Sequence, residues 1–161
     1  MHKSSGKNIL VTGGAGYIGS ILVPEFLRSG FKVMVLDNFM YRQNSLLECA
    51  TDENFNVVRG DARDENILKK LLQKADYIIP LAALVGAPLC DRDKIGAVTI
   101  NRDAIASLAN LTSKKQRIII PTTNSGYGIG QKGIPCTEKS PLNPITLYGK
   151  VKMEAEKIVL D

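Results

Sequence analysis

The sequence predicts an α/β protein built on a doubly wound parallel sheet. Three observations predict it. Short apolar runs alternate with longer stretches of helical periodicity along the chain. A glycine cluster joins the first apolar run to the first helix, and an aspartate closes the second apolar run. Such alternation implies right-handed crossovers, helices on both faces and the strand order 3-2-1-4-5. A ligand is then expected beyond the carboxyl ends of strands one and four, where the order reverses.

Residues 1–7 form a polar leader, expected to be mobile. Asn8–Thr12 is strand one, apolar on both faces as a central parallel strand requires. The helix after the glycines runs to about Ser29, with Ile18, Ile21, Leu22 and Phe26 on one side. Pro24 inside it should kink the helix or remove a hydrogen bond. Gly30 is its C-terminal cap. Strand two covers 32–36 and ends at Asp37. Residues 38–45 are polar and irregular, with a short helix over 45–50. Phe55–Arg59 is strand three, and Gly60-Asp61-Ala62-Arg63 turns the chain. Asp64 caps a helix in which Ile67, Leu68, Leu71 and Leu72 recur at helical spacing. Strand four covers 77–81, followed by a small-residue loop over 82–90. A long helix over 91–113 turns Ile95, Val98, Ile105, Leu108 and Leu111 towards the sheet. Strand five covers 117–121, and the last helix covers 145–160. The long polar loop between them, 122–144, is of a length that usually carries function.

The totals exclude several classes of function. A chain of 161 residues suffices for one domain, expected over 8–161, and 44% hydrophobic with 23% charged residues is ordinary for a globular protein. The net charge of +5 comes from scattered lysines and arginines without interleaved aromatic residues, so nucleic acid is not an expected partner. Cys49, Cys90 and Cys136 are odd in number and form no C-x-x-C pair. That suits reduced thiols in a cytoplasm and speaks against zinc. The single histidine, His2, lies in the leader, which removes a histidine-based triad. No apolar run reaches transmembrane length, so no membrane partner is expected.

The glycine cluster carries the first chemistry. Gly14, Gly16 and Gly19 form G-x-G-x-x-G, and Gly13, Gly16 and Gly19 form its offset version after Thr12. The first glycine allows the tight turn, the second lets the backbone approach a pyrophosphate, and the third lets helix and strand pack closely. The helix N-terminus then offers free N–H groups to the phosphates. Asp37 can accept both ribose hydroxyls of an adenosine and would repel a 2′-phosphate, which favours NAD over NADP. Asp61 occupies the matching place after strand three. By itself it is either an acceptor for adenine or a turn-forming aspartate.

Tyr148 and Lys152 stand i, i+4 and share one helix face. Such a pair in isolation is an ordinary surface pair whose lysine snorkels. The segment Thr122-Thr123-Asn124-Ser125-Gly126-Tyr127-Gly128 changes the reading, because it leaves strand five at the carboxyl edge and brings hydroxyl groups towards the same crevice. A lysine ammonium and an oxidised nicotinamide ring would favour the phenolate of Tyr148. That phenolate could take the hydroxyl proton of a sugar while the sugar carbon gives up a hydride.

These motifs together resemble the extended short-chain dehydrogenase/reductase family, in its branch of NAD-dependent sugar-nucleotide epimerases and dehydratases. The resemblance rests on the 12–20 glycine turn, Leu36-Asp37-Asn38, 60–64, Leu81-Ala82-Ala83, Asn101 and Tyr148-x-x-x-Lys152. It implies a Rossmann fold with NAD as cofactor and a nucleotide-sugar, such as a UDP-sugar, as substrate. It also implies a residue-by-residue site. Gly13, Gly16 and Gly19 form the phosphate turn, with backbone from Tyr17 and Ile18. Asp37 and Asn38 hold the adenosine ribose, Asp61 and Ala62 the adenine. Leu81, Ala82 and Ala83 line the cofactor path. Thr123 hydrogen-bonds the reacting sugar hydroxyl, with Asn124 and Ser125 beside it. Tyr148 is the base, and Lys152 binds the nicotinamide ribose and tunes the tyrosine. Asn101 supports the site or is an ordinary polar residue of its helix.

Two departures refine the expectation. The 4,6-dehydratases carry Thr-Asp-Glu where this chain has Thr123-Asn124-Ser125, and related decarboxylases keep a glutamate at Ser125. Val85 stands where some galactose-type epimerases carry a lysine. C4 epimerisation, or plain oxidation and reduction, is therefore expected over dehydration. Members of the family continue after the tyrosine–lysine helix into a substrate lobe, so this chain is expected to be the cofactor-binding half, truncated before that lobe. The competing expectation is an NAD-binding module without turnover of its own. Relatives of this kind pair through the helices expected here at 91–113 and 145–160, which implies a homodimer.

Overall fold

The computed structural model describes residues 6–130 and 133–161. Apart from Gly6 and Lys7, the expected leader, His2 included, lies outside the described residues. The chain divides into two compact units. One holds the residues up to Ala82 together with Ser107–Pro121, the other Ala83–Ala106 and Thr122–Asp161.

The first unit contains the sheet. β1 (Asn8–Thr12), β2 (Lys32–Asp37), β3 (Phe55–Arg59), β4 (Tyr77–Pro80) and β5 (Arg117–Ile118) pair in parallel in the order β3-β2-β1-β4-β5. Strand order and parallel pairing match the expectation. β4 and β5 are shorter than expected, although the Ile119 N–H still donates to the Ile78 carbonyl.

Alternation along β1 sends its side chains into two cores. Ile9 and Val11 pack with Val33, Val35 and Val23 on one face. Leu10 packs with Met34, Leu36, Ile78 and Leu108 on the other. α1 (Gly19–Arg28) covers the first face; α2 (Glu65–Leu72) supplies Leu68, Leu71 and Leu72 to the second. This is the doubly wound arrangement.

The face of α1 differs from the expected one. Ile18 and Ile21 are exposed, and the buried stripe is Gly19, Val23 and Pro24, flanked by Phe26 and Leu27. A glycine used for close packing leaves no mark in an apolar pattern, so the bulkier isoleucines misplace the stripe. The helix continues through Pro24, which lacks the N–H for its i−4 bond. Gly30 ends the helix at φ +81°, with Gly30 N–H donating to the Leu27 carbonyl and Phe31 N–H to the Phe26 carbonyl. Asp64 caps α2 by accepting the Asn66 and Ile67 N–H groups. The short helix expected over 45–50 is a 3-10 turn at Leu47–Cys49.

Two further expectations need correction. The loop over 82–90 contains the start of α3 (Ala87–Arg92). The long helix over 91–113 is interrupted. Asp93 caps α4 (Lys94–Val98), a π turn follows at Thr99–Asp103, and α5 (Ala104–Leu111) completes it. The wider π turn rotates the residues before it against those after it, so one apolar stripe cannot run throughout. Ile95 is accordingly 78% exposed.

In the second unit, α6 (Leu147–Leu160) starts at Thr146, whose Oγ1 accepts the Gly149 N–H at 3.1 Å. A small core gathers Leu84, Cys90 and Ala97 with Leu89, Ile100, Leu147 and Tyr148. The three cysteines are free thiols. Among the described residues no helix is long and apolar enough to cross a membrane.

Candidate functional site

The glycine turn follows directly from β1. Gly13 has φ +69°, and a Cβ there would stand 2.5 Å from the Ala82 nitrogen and 2.9 Å from the Leu81 carbonyl carbon. Only glycine permits this approach of the first turn to the end of β4. Gly16 N–H donates to the Gly13 carbonyl at 3.1 Å, closing the turn. Among the described residues the N–H groups of Tyr17 and Ile18 meet no acceptor. They stand at the head of α1, where an anion is favoured.

Asp37 is 7% exposed and ends β2. Its Oδ2 accepts the Ala15 N–H at 2.9 Å, and its Oδ1 accepts the Phe39 N–H at 2.7 Å. Each carboxylate oxygen keeps a further acceptor position. Asn38 is exposed, and its Oδ1 accepts the Met40 N–H at 3.0 Å. Phe39 and Arg42 hold φ of 54° and 51°, a left-handed conformation that costs bulky residues roughly 1–2 kcal/mol each. Such strain after β2 carries no sequence signal.

Asp61 is held within its own turn. It accepts the Arg63 N–H and binds the Arg63 guanidinium at 2.6 Å. The hydrogen bonds from Arg63 hold its carboxyl below the usual range. Ala62 is half-buried beside it.

These features fit a dinucleotide. They comprise a turn without Cβ at its close approach, two unused N–H groups at a helix head and an acidic acceptor at the end of β2.

The second unit holds the other predicted residues. Thr123 precedes a 3-10 turn at Asn124–Tyr127; its Oγ1 accepts the Ser125 N–H and donates to Ser125 Oγ, both at 3.2 Å. Asn124 is exposed. A Cβ on Gly149 would lie 2.8 Å from the Ser125 carbonyl oxygen. The glycine between Tyr148 and Lys152 thus lets their helix lie directly on the turn that carries Thr123. Tyr148 is half-buried against the small core.

Lys152 is 7% exposed, and burial pushes its ammonium below its ordinary value of 10.5. Glu156, one helical turn on, opposes that shift and is itself held by the Thr122 hydroxyl at 2.5 Å. Among the described residues no hydrogen bond or ion pair reaches Lys152 Nζ. The burial of Lys152 and the hold on Glu156 escape a sequence reading, because both depend on residues distant in the chain.

Asn101 is supportive. Buried in the π turn, it accepts the Leu84 N–H and donates to the Leu84 carbonyl, both at 2.8 Å. It thereby braces the backbone next to Ala83. A hollow of about 290 Å³ opens elsewhere in this unit, lined mainly by apolar residues such as Ile129, Ile134 and Ile145. None of the predicted site residues lines it. No group of three metal-ligating side chains that could hold an ion occurs among the described residues.

A model of the NAD dependent epimerase/dehydratase family matches residues 9–161. The chain belongs to this family. NAD is the cofactor of that family, and its members are enzymes. The chain is 34% identical to a UDP-glucose 4-epimerase of Lactobacillus helveticus, over 94% of its own length and 46% of the relative's. Its fold matches the UDP-Glc/GlcNAc 4-epimerase of Campylobacter jejuni with a TM-score of 0.86 and 28% identity, covering 95% of this chain and 48% of that one. The dTDP-glucose 4,6-dehydratase of Bacillus anthracis, solved with NAD, gives a TM-score of 0.83 at 28% identity, covering 96% of this chain and 49% of that one. The chain thus spans about half the length of the relatives it matches. Epimerase and dehydratase are almost equally similar in fold, so overall shape does not separate the two activities.

Proposed function

We propose that the protein uses NAD to epimerise a nucleotide-sugar at C4, this chain supplying the cofactor cradle and the base. The substrate class is a UDP-sugar. The observation that carries the reading is the close seat of the tyrosine–lysine helix on the Thr123 turn, through Gly149. It gathers a phenol, an ammonium and two hydroxyls within one unit.

NAD, when bound, supplies reversible hydride acceptance at the sugar carbon. Tyr148 takes the proton of the C4 hydroxyl and returns it to the opposite configuration. Lys152 holds the nicotinamide ribose and, as a cation, favours the phenolate of Tyr148. Thr123 aligns the reacting hydroxyl, while Asp37 and the N–H groups of Tyr17 and Ile18 hold the adenosine and the diphosphate. Dehydration requires an acid and a base in the 123–125 turn. Asn124 and Ser125 provide neither, which supports epimerisation.

The test is a melting scan with and without NAD, followed by incubation of the NAD-loaded chain with UDP-glucose or UDP-N-acetylglucosamine and chromatography for the C4 epimer. Stabilisation by NAD with epimer formation supports the reading. Stabilisation without turnover reduces the chain to an NAD-binding module, and no stabilisation refutes both.

A further inference from the structure

The segment that follows β2 is anchored at both ends to one residue of the glycine turn. At its start, Asp37 accepts the N–H of Ala15. At its end, Ser45 Oγ donates to the Ala15 carbonyl oxygen at 2.6 Å. Ala15 is 1% exposed, which shields its bond to Asp37 from water, while the bond from the half-buried Ser45 is partly shielded. Between the anchors the backbone is held in two left-handed residues, Phe39 and Arg42, and Gln43 Oε1 is buried without a hydrogen-bond partner among the described residues. Ser45 has no local task to explain its place, since the 3-10 turn that follows has no side-chain cap.

The peptide that Ser45 grips joins Ala15 to Gly16. Its N–H is held by the Gly13 carbonyl at 3.1 Å and its C=O by Ser45 at 2.6 Å. The plane is thus fixed from both sides, immediately before the two unused N–H groups of Tyr17 and Ile18. Gly16 has no side chain to resist rotation, so the Ser45 bond restrains this plane alongside the bonds of Asp37 to the Ala15 N–H and of the Ser20 N–H to the Gly16 carbonyl.

We propose that Ser45 is a positioning residue for the cofactor: by holding the Ala15 carbonyl it works with Ser20, which holds the Gly16 and Tyr17 carbonyls, to set the direction of the Tyr17 and Ile18 N–H groups towards the diphosphate. The proposal rests on the reading of the glycine turn as the NAD diphosphate site. Ser45 acts through the backbone of the turn, and its effect belongs to the diphosphate alone.

Calorimetric titration of the full chain with NAD, ADP and adenosine separates this role from a structural one. Ser45→Ala is expected to weaken NAD and ADP by roughly fivefold, the loss of one hydrogen bond, and to leave adenosine unchanged. Ser45→Thr, which keeps the hydroxyl, is expected to restore both. Equal weakening of adenosine and ADP would overturn the proposal, because a loosened loop harms the whole site. Unchanged NAD affinity in Ser45→Ala would overturn it as well. Should Ser45→Ala not fold, Ser45→Cys serves: its weaker donor is expected to give a smaller loss confined to NAD and ADP, and wild-type affinity for both would overturn the proposal. Failure of the unmodified chain to bind NAD or ADP would instead refute the diphosphate site itself.

Discussion

Asp37 and Lys152 are equally buried, each 7% exposed, yet their charges are met in opposite ways. Asp37 accepts two backbone N–H groups and binds the glycine turn to the segment after β2. Lys152 meets no hydrogen bond or ion pair among the described residues; burial lowers its pKa, and Glu156, one turn away, opposes that shift. The carboxylate is part of the fold before any ligand arrives. The ammonium meets a desolvation cost that Glu156 only partly offsets. One buried charge is therefore held by backbone donors, while the other meets no hydrogen bond or ion pair among the described residues.

The largest expected effect lies on the lysine side of this contrast. Tyr148→Phe should lower epimerisation at least about a hundredfold, the scale of a positioned acid–base group, with NAD affinity unchanged by calorimetry. Parallel loss of both would remove Tyr148 from the role of base.

Asp37→Asn comes next. The amide keeps the shape but offers an N–H to one of the two backbone donors, so urea unfolding should show a loss of about 2 kcal/mol even without NAD. A variant as stable as the wild type would end the contrast with Lys152.

Gly149→Ala tests the seat of the helix on the Thr123 turn. The added methyl group, 2.8 Å from the Ser125 carbonyl, should cost about 1 kcal/mol in urea unfolding and lower turnover more than NAD affinity.

The smallest effect on stability should have the opposite sign. Lys152→Met should raise the melting temperature of the NAD-free protein at pH 7 while abolishing turnover. The pH dependence follows from the lowered pKa. The penalty for burying the charged ammonium is complete below the folded-state pKa and fades as pH rises through it towards 10.5. The difference in melting temperature between variant and wild type should therefore narrow between pH 7 and pH 10.5. A wild type more stable than the variant at pH 7 would show that Lys152 already has a partner in the free protein.

The legible parts of the molecule were those written in local patterns. β1 and β3 carry apolar runs that end where the strands end, and Asp64 caps α2 as its place in the sequence requires. The glycine turn was legible because a close approach of backbone to backbone, as at Gly13, admits no other residue. The buried face of α1 was not, since Gly19 contributes packing without contributing hydrophobicity. The π turn at Thr99–Asp103 was hidden for a related reason: the sequence there has sound helical periodicity, and the extra residue in the turn is a matter of backbone fit.

Sequence alone determined the order of the strands, the glycine turn, the acid that ends β2 and the i, i+4 placement of Tyr148 and Lys152. Each depends on residues adjacent along the chain or one helical turn apart. Only the tertiary structure decided that Lys152 is buried, that Asn101 braces Leu84 across 17 residues, and that Ser45 closes on Ala15 across 30. Burial and contacts between distant residues are products of packing, and packing has no period to read.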